Sequence, residues 1–146
     1  MSRRVVGACI RWVFVAASAL LLLVGSLIPL PTRYNPDFGP YGPDKALHLL
    51  GHLGLAAALA AALEDDGPSR HTALAAVAIS TVFGVSTELL QEAVPGREFE
   101  RGDVNAGLVG SLAGVLAWGL FRRGRRADSG GESGRRPGRD GPRTNS

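Results

Sequence analysis

Four apolar runs, each separated from the next by a short polar segment, dominate the pattern of this chain. About twenty residues at 1.5 Å per residue cross a 30 Å hydrocarbon layer, and each run approaches that length. The first, residues 12–28, has only Ser18 and Ser26 as polar groups and stops at Pro29 and Pro31. A breaker-rich segment with Pro36, Gly39, Pro40, Gly42 and Pro43 follows, and its Tyr34 and Tyr41 suit a membrane interface. The second run, 44–63, opens on Asp44 just after Pro43, both of which favour a helix start. It ends at Glu64-Asp65-Asp66-Gly67-Pro68. The third, 72–94, is stopped by Pro95-Gly96, and the fourth covers 103–121. Trp12 and Trp118 then mark one interface. The pattern predicts an all-α membrane protein: four transmembrane helices in one bundle spanning residues 1–121.

The first run is longer than the 7–15 apolar residues of a secretory signal and no clear small-x-small cleavage site follows it, so a retained helix is expected. Orientation comes from arginine. Arg3, Arg4 and Arg11 precede or open the first helix, and Arg122, Arg123, Arg125 and Arg126 follow the fourth. An even number of helices puts both clusters on one side, and the positive-inside rule makes that side cytoplasmic. The expected location is the cell (plasma) membrane, multi-pass, with both termini in the cytoplasm. The net charge of +3 does not indicate nucleic acid, because eight of the sixteen basic residues lie in residues 122–146. That segment is almost free of apolar residues and is expected to be a disordered cytoplasmic tail. The single cysteine, Cys9, allows no internal disulfide.

In so apolar a chain the polar residues near the helix ends carry the information. Charged and imidazole groups at membrane depth are costly and face a partner or a hydrated cavity. The second helix places Lys45, His48 and His52 at steps of three and four, on one face, with Asp44 at its start. Gly51 beside that face lets another helix approach. The third places Glu88 and Gln91 at i, i+3, with Thr81, Gly84 and Thr87 continuing the stripe. The loop after it holds Arg97 and Arg101; Arg97 has the fork geometry for a phosphate or carboxylate, and Arg101 reads as ordinary surface charge. Asp103 and Asn105 open the fourth helix, whose Gly107, Gly110 and Gly114 form a small-residue packing seam. If both termini are cytoplasmic, all the candidate groups fall on the outer side. His48 and His52 are four residues apart, a spacing that can serve a metal, but zinc needs a third ligand and only Glu88 is in prospect, so no metal is expected.

Three blocks together resemble the VanZ-like family of small integral membrane proteins: Asp44-Lys45-x-x-His48, Thr87-Glu88-Leu89-Leu90-Gln91, and Pro95-Gly96-Arg97 with Asp103 six residues later, then Gly110 and Gly114. The resemblance covers residues 12–121. It implies a four-helix architecture, a polar site and an association with glycopeptide (teicoplanin) resistance, without a defined reaction. The family pattern has an Asn four positions after the helix-4 Asp, where this chain has Gly107. Asn105 is about 200° away around the helix and is not assigned that role. His52 also stands where an aromatic is common.

The expected function is that of a cell-envelope protein with an outward-facing polar site for an anionic lipid or lipid-linked headgroup. Asp44, Lys45, Gln91, Arg97 and Asp103 would bind, with His48 beside them and no cofactor indicated. The alternatives are a small membrane enzyme, with His48 and Glu88 as an acid–base pair, and a structural or assembly partner. The helix-4 glycine seam would also serve a second copy of the chain. No P-loop, dinucleotide-binding or nucleophile-elbow motif is present.

Overall fold

The computed structural model describes residues 3–27, 42–64, 69–94 and 99–132. Its helices are α1 Arg3–Leu27, α2 Pro43–Leu63, α3 Arg70–Gln91 and α4 Arg101–Glu132. All four are long and apolar enough to cross a membrane, and no strand occurs among the described residues. The chain is an all-α, four-helix membrane protein.

Helix ends depart from the sequence expectation for local reasons. α3 begins at Arg70, earlier than residue 72, because Ser69 caps it and accepts a hydrogen bond from the Thr72 amide at 3.0 Å. It ends at Gln91, earlier than residue 94. Val94 directly precedes Pro95 and is disfavoured in helical conformation, so the last residues turn through Ala93 N–H to Leu90 O and Val94 N–H to Gln91 O. α1 starts at Arg3, well before Trp12, since nothing in between breaks it. α4 corrects the largest misjudgement. It does not stop at Phe121 but runs to Glu132, so residues 122–132 of the expected tail are helical. Arginine and alanine are good helix formers, and Arg122 is tied to the bundle by Glu64. Residues 133–146 lie outside the described part.

The radial distribution of side chains is inverted relative to a water-soluble bundle. Phe14, Leu21, Leu50, Leu74, Val82, Leu116 and Leu120 are exposed, whereas the largest fully buried side chains are His48, His52, Gln91, Glu88 and Asp103. In lipid, exposed leucine costs nothing, while polar groups must turn inward and find partners. The bundle also retains an apolar core of Leu22, Leu55, Leu59, Ala60 and Ala76.

α2 is the hub, packed on α1, α3 and above all α4. Its pairing with α4 depends on glycine. A Cβ on Gly110 would collide with the Leu49 carbonyl oxygen, and one on Gly114 with that of Leu53. The two backbones therefore touch, as small-residue seams permit. This seam is occupied by α2 of the same chain, so Gly110 and Gly114 offer no open stripe to a second copy. α1 is peripheral: 6 % of its span is buried, against 39 % of that of α2. It meets α2 where Leu22 fills the space at Gly51.

One end of the bundle is closed by a latch. Glu64 accepts from Trp118 Nε1 (2.8 Å) and from Arg122 Nε and its terminal nitrogen (3.1 and 2.8 Å). Arg11 donates to the carbonyls of Ala61 and Glu64 at 2.9 and 3.1 Å. The beginning of α1 and the end of α4 thus share this end. Along α2, Lys45 and Glu64 are about 28 Å apart at 1.5 Å per residue, close to a hydrocarbon thickness. The two polar layers therefore match the two edges of a bilayer.

Candidate functional site

The opposite layer is built from three helical stripes, each at i, i+4 and i+8: Asp44, His48 and His52 on α2; Ser80, Gly84 and Glu88 on α3; Asp103, Gly107 and Ser111 on α4. Residues at these spacings share a face. All nine are buried, so the three stripes face one another. Large polar residues on one helix lie against glycine on the next, which makes room for them.

At the membrane end, His48 Nε2 lies 3.4 Å from Glu88 Oε1 and 3.8 Å from Asp103 Oδ2. Gln91 donates from its side-chain amide to Glu88 Oε1 at 3.4 Å, and the Glu100 amide donates to Glu88 Oε2 at 3.4 Å. Ligating atoms of Asp44, His48 and Asp103 lie within 4.8 Å of one another. Lys45 is at the rim, its side chain 27 % exposed. Its ammonium is 2.8 Å from Glu100 Oε2 and 3.5 Å from Asp103 Oδ1. Asp44, Lys45, His48, Glu88, Gln91 and Asp103 are thus brought together by the structure. Arg97 lies outside the described residues.

His52, one turn deeper, is not part of this cluster's carboxylate chemistry. Its ring stacks on His48 with centroids 6.2 Å apart and is held between Gly84 and Gly107, where a Cβ would stand 2.8 and 2.9 Å from ring atoms. Its Nδ1 pairs with Ser80 Oγ at 2.9 Å, and Ser111 Oγ donates to Ser80 Oγ at 2.9 Å. The space beside Gly107 is filled by this imidazole. Asn105 is exposed and takes no part.

Sequence reasoning missed Glu100, Ser80, Ser111 and Glu64. Glu100, just before α4, takes the Lys45 ammonium at 2.8 Å. Ser80 and Ser111 were legible as continuations of the four-residue steps through Glu88 and Asp103. Glu64 had been read as part of a chain break, although a carboxylate at the end of an apolar run needs a partner.

Glu88, Asp103 and Asp44 are 1, 2 and 8 % exposed; Lys45 Nζ lies 3.5 Å from Asp103 Oδ1, and Asp44 and Glu88 each have a further interaction. Buried carboxylates demand compensation by protons, hydrogen bonds or cations. An imidazole and a carboxylate 3.4 Å apart, as in the His48–Glu88 contact, can exchange a proton.

A groove of about 380 Å³ lies elsewhere, near the Glu64 end between Ala60, Thr72, Ala73, Val115 and Trp118. Its walls are mainly apolar, it is open toward the lipid, and its acid is already bonded to Arg122 and Trp118. Comparison with protein-family models, with curated proteins and with solved structures finds no match to this chain.

Proposed function

We propose that this chain is a VanZ-like protein of the cell envelope, with both termini in the cytoplasm and its polar layer on the outer face of the plasma membrane. On this reading the layer receives an anionic lipid or lipid-linked headgroup. The observation that carries it is the meeting of Asp44, His48, Glu88, Gln91 and Asp103 from three helices at one membrane edge, with Lys45 at the rim. Such a concentration of ionisable groups at membrane depth marks a functional site more often than packing alone requires. Lys45 is the half-exposed cation that meets an arriving anion, while the carboxylates behind it hold its ammonium toward the rim. Arg97 stands in the same reading as a second contact.

The test is native mass spectrometry of protein purified in mild detergent. A discrete lipid headgroup is expected on the wild type and is expected to be lost in Lys45→Gln. A spectrum free of lipid, or the same lipid retained by the variant, overturns the reading.

Topology is checked separately. In a Cys9→Ser background, Asp37→Cys is expected to react with a membrane-impermeant thiol reagent added to intact cells, and Ser133→Cys is expected to react only after lysis. Labelling of both from outside removes the outward placement of the site.

The second reading is a membrane enzyme on a lipid-linked substrate, and the His48–Glu88 contact of 3.4 Å favours it. An imidazole and a carboxylate at that distance can pass a proton. Turnover of the co-purified lipid by wild type, abolished in Glu88→Gln while the lipid stays bound, distinguishes the enzyme from the binder.

A further inference from the structure

We infer that the groove at the Glu64 end holds an anionic glycerophospholipid, its phosphate between Arg70 and Arg123 and an acyl chain against the apolar wall. This is a second lipid site, at the opposite end of the bundle from the polar layer. It goes beyond the headgroup reading and does not need it.

The groove forms where the end of α2, the first turn of α3 and the stretch of α4 from Val115 to Arg123 meet at one bilayer edge. Along α4 it extends about 12 Å at 1.5 Å per residue. Its volume of about 380 Å³ falls within the roughly 300–1,000 Å³ of ligand pockets, which are mostly apolar with a few placed polar groups. Depth separates its chemistry. Ala60, Ala73 and Val115 form the inner, apolar part, and Arg70 and Arg123 lie beyond them, toward the helix ends. An apolar wall with cations at its outer edge matches a phospholipid. A free anion would leave the wall bare, and a neutral hydrocarbon would leave the cations unused.

The charge at the mouth is complementary to such a headgroup. Glu64 also lines the groove, but its carboxylate is already bonded to Trp118 and Arg122. Among the described lining residues, Arg70 and Arg123 are the charges that remain to meet an anion, and both are exposed. Their guanidinium forks fit phosphate oxygens. They come from different helices, and basic pockets between transmembrane helices recognise anionic headgroups. The positive end of the α3 dipole lies at the same mouth.

Gly119 shows that protein does not fill this space. A Cβ there would meet nothing within 4 Å, whereas at Gly110 and Gly114 it would meet the backbone of α2. Glycine at 119 therefore makes no close helix contact, and its missing side chain leaves the groove open to the lipid beside it.

Trp118 lines the groove and reports on its occupant. The other tryptophan, Trp12 on α1, is half exposed, so Trp12→Phe leaves Trp118 as the one indole. The full chain with this change is reconstituted into mixed bilayers of phosphatidylglycerol and phosphatidylcholine, with brominated chains on one lipid at a time, and quenching of Trp118 fluorescence is measured. Phosphatidylglycerol is expected to be preferred at Trp118 by about tenfold or more, for two basic residues acting on one anionic headgroup. Arg70→Gln and Arg123→Gln should each reduce that preference by about fivefold, the effect of one basic residue at an anionic surface. Both side chains are exposed, so neither change disturbs the interior. Gly119→Leu keeps both arginines, fills the groove and should remove most of the preference. Lys45→Gln, at the other end, should leave it unchanged, so this test stands or falls separately from the headgroup reading. Equal affinity for the two lipids in the wild-type groove overturns the site, as does a preference that survives loss of both arginines or filling at Gly119. Dependence on Lys45 also overturns it. Trp118 shielded from both lipids does so as well, since another helix or a second copy would then cover the groove.

Discussion

Replacing Gly110 and Gly114 together with alanine should cost about 2–6 kcal/mol of stability, taking 1–3 kcal/mol for each overpacked position. Each new methyl would meet a carbonyl oxygen of α2, from Leu49 and Leu53, and a backbone carbonyl in mid-helix cannot rotate aside as a side chain can. Relief requires α4 to move away from α2. That movement also separates His48 on α2 from Asp103 on α4, which face one another across the same helix pair one to two turns nearer the membrane edge. The loss should therefore appear twice, as a lower thermal midpoint in detergent and as loss of any ligand held by the polar layer. Leu116→Ala is the control. Leu116 lies on the lipid-facing side of α4, exposed, and its truncation should leave the midpoint nearly unchanged. A double glycine variant as stable as wild type would mean that α2 and α4 are not in backbone contact.

The second large effect is expected in function with little change in fold. Glu88→Gln retains the shape of the side chain and an oxygen that can accept from the Glu100 amide and from Gln91, but removes the negative charge. Breaking a buried ion pair by removing one partner typically costs 3–5 kcal/mol, because a charge is left behind uncompensated. Here the surroundings are rich in carboxylates, and Lys45 keeps both Glu100 and Asp103. Lys45 is not stranded, and a stability change below about 1.5 kcal/mol is expected, the scale of one hydrogen bond. Lipid retention should nevertheless fall, and in the enzyme reading turnover should vanish. His48→Gln is the paired variant, since His48 Nε2 lies 3.4 Å from Glu88 Oε1. Thermal stability and co-purified lipid are measured on both. Lower stability with lipid fully retained would reduce the cluster to structural glue between helices.

Much of this molecule was legible before any coordinates. Run length against bilayer thickness identifies four spanning helices, and proline placement locates most loops. The cost of polar groups in hydrocarbon singles out Asp44, Lys45, His48, Glu88, Gln91 and Asp103 as residues that must turn inward. These are arguments about one helix at a time, and periodicity answers them. The C-terminal end of α4 was misjudged for an equally local reason. Low apolarity after Phe121 marks departure from the membrane, but does not mark the end of a helix when arginine and alanine continue it.

Tertiary structure decided what stands opposite what. A stripe on α2 does not reveal which residues of α3 and α4 it meets, because that depends on helix order, rotation and depth. The backbone contacts at Gly110 and Gly114 set the depth of α4 against α2, and so bring Asp103 to His48 and Gly107 to His52. Two histidines that look like a metal pair in sequence are thereby given different partners, one among carboxylates and one among serines. The same alignment brings the carboxylates of Asp44, Glu88 and Asp103 to His48, with Lys45 at the rim. The sequence by itself determined which residues leave the lipid. Packing at glycine contacts, with the geometry of three adjacent helices, determined the chemistry those residues make together.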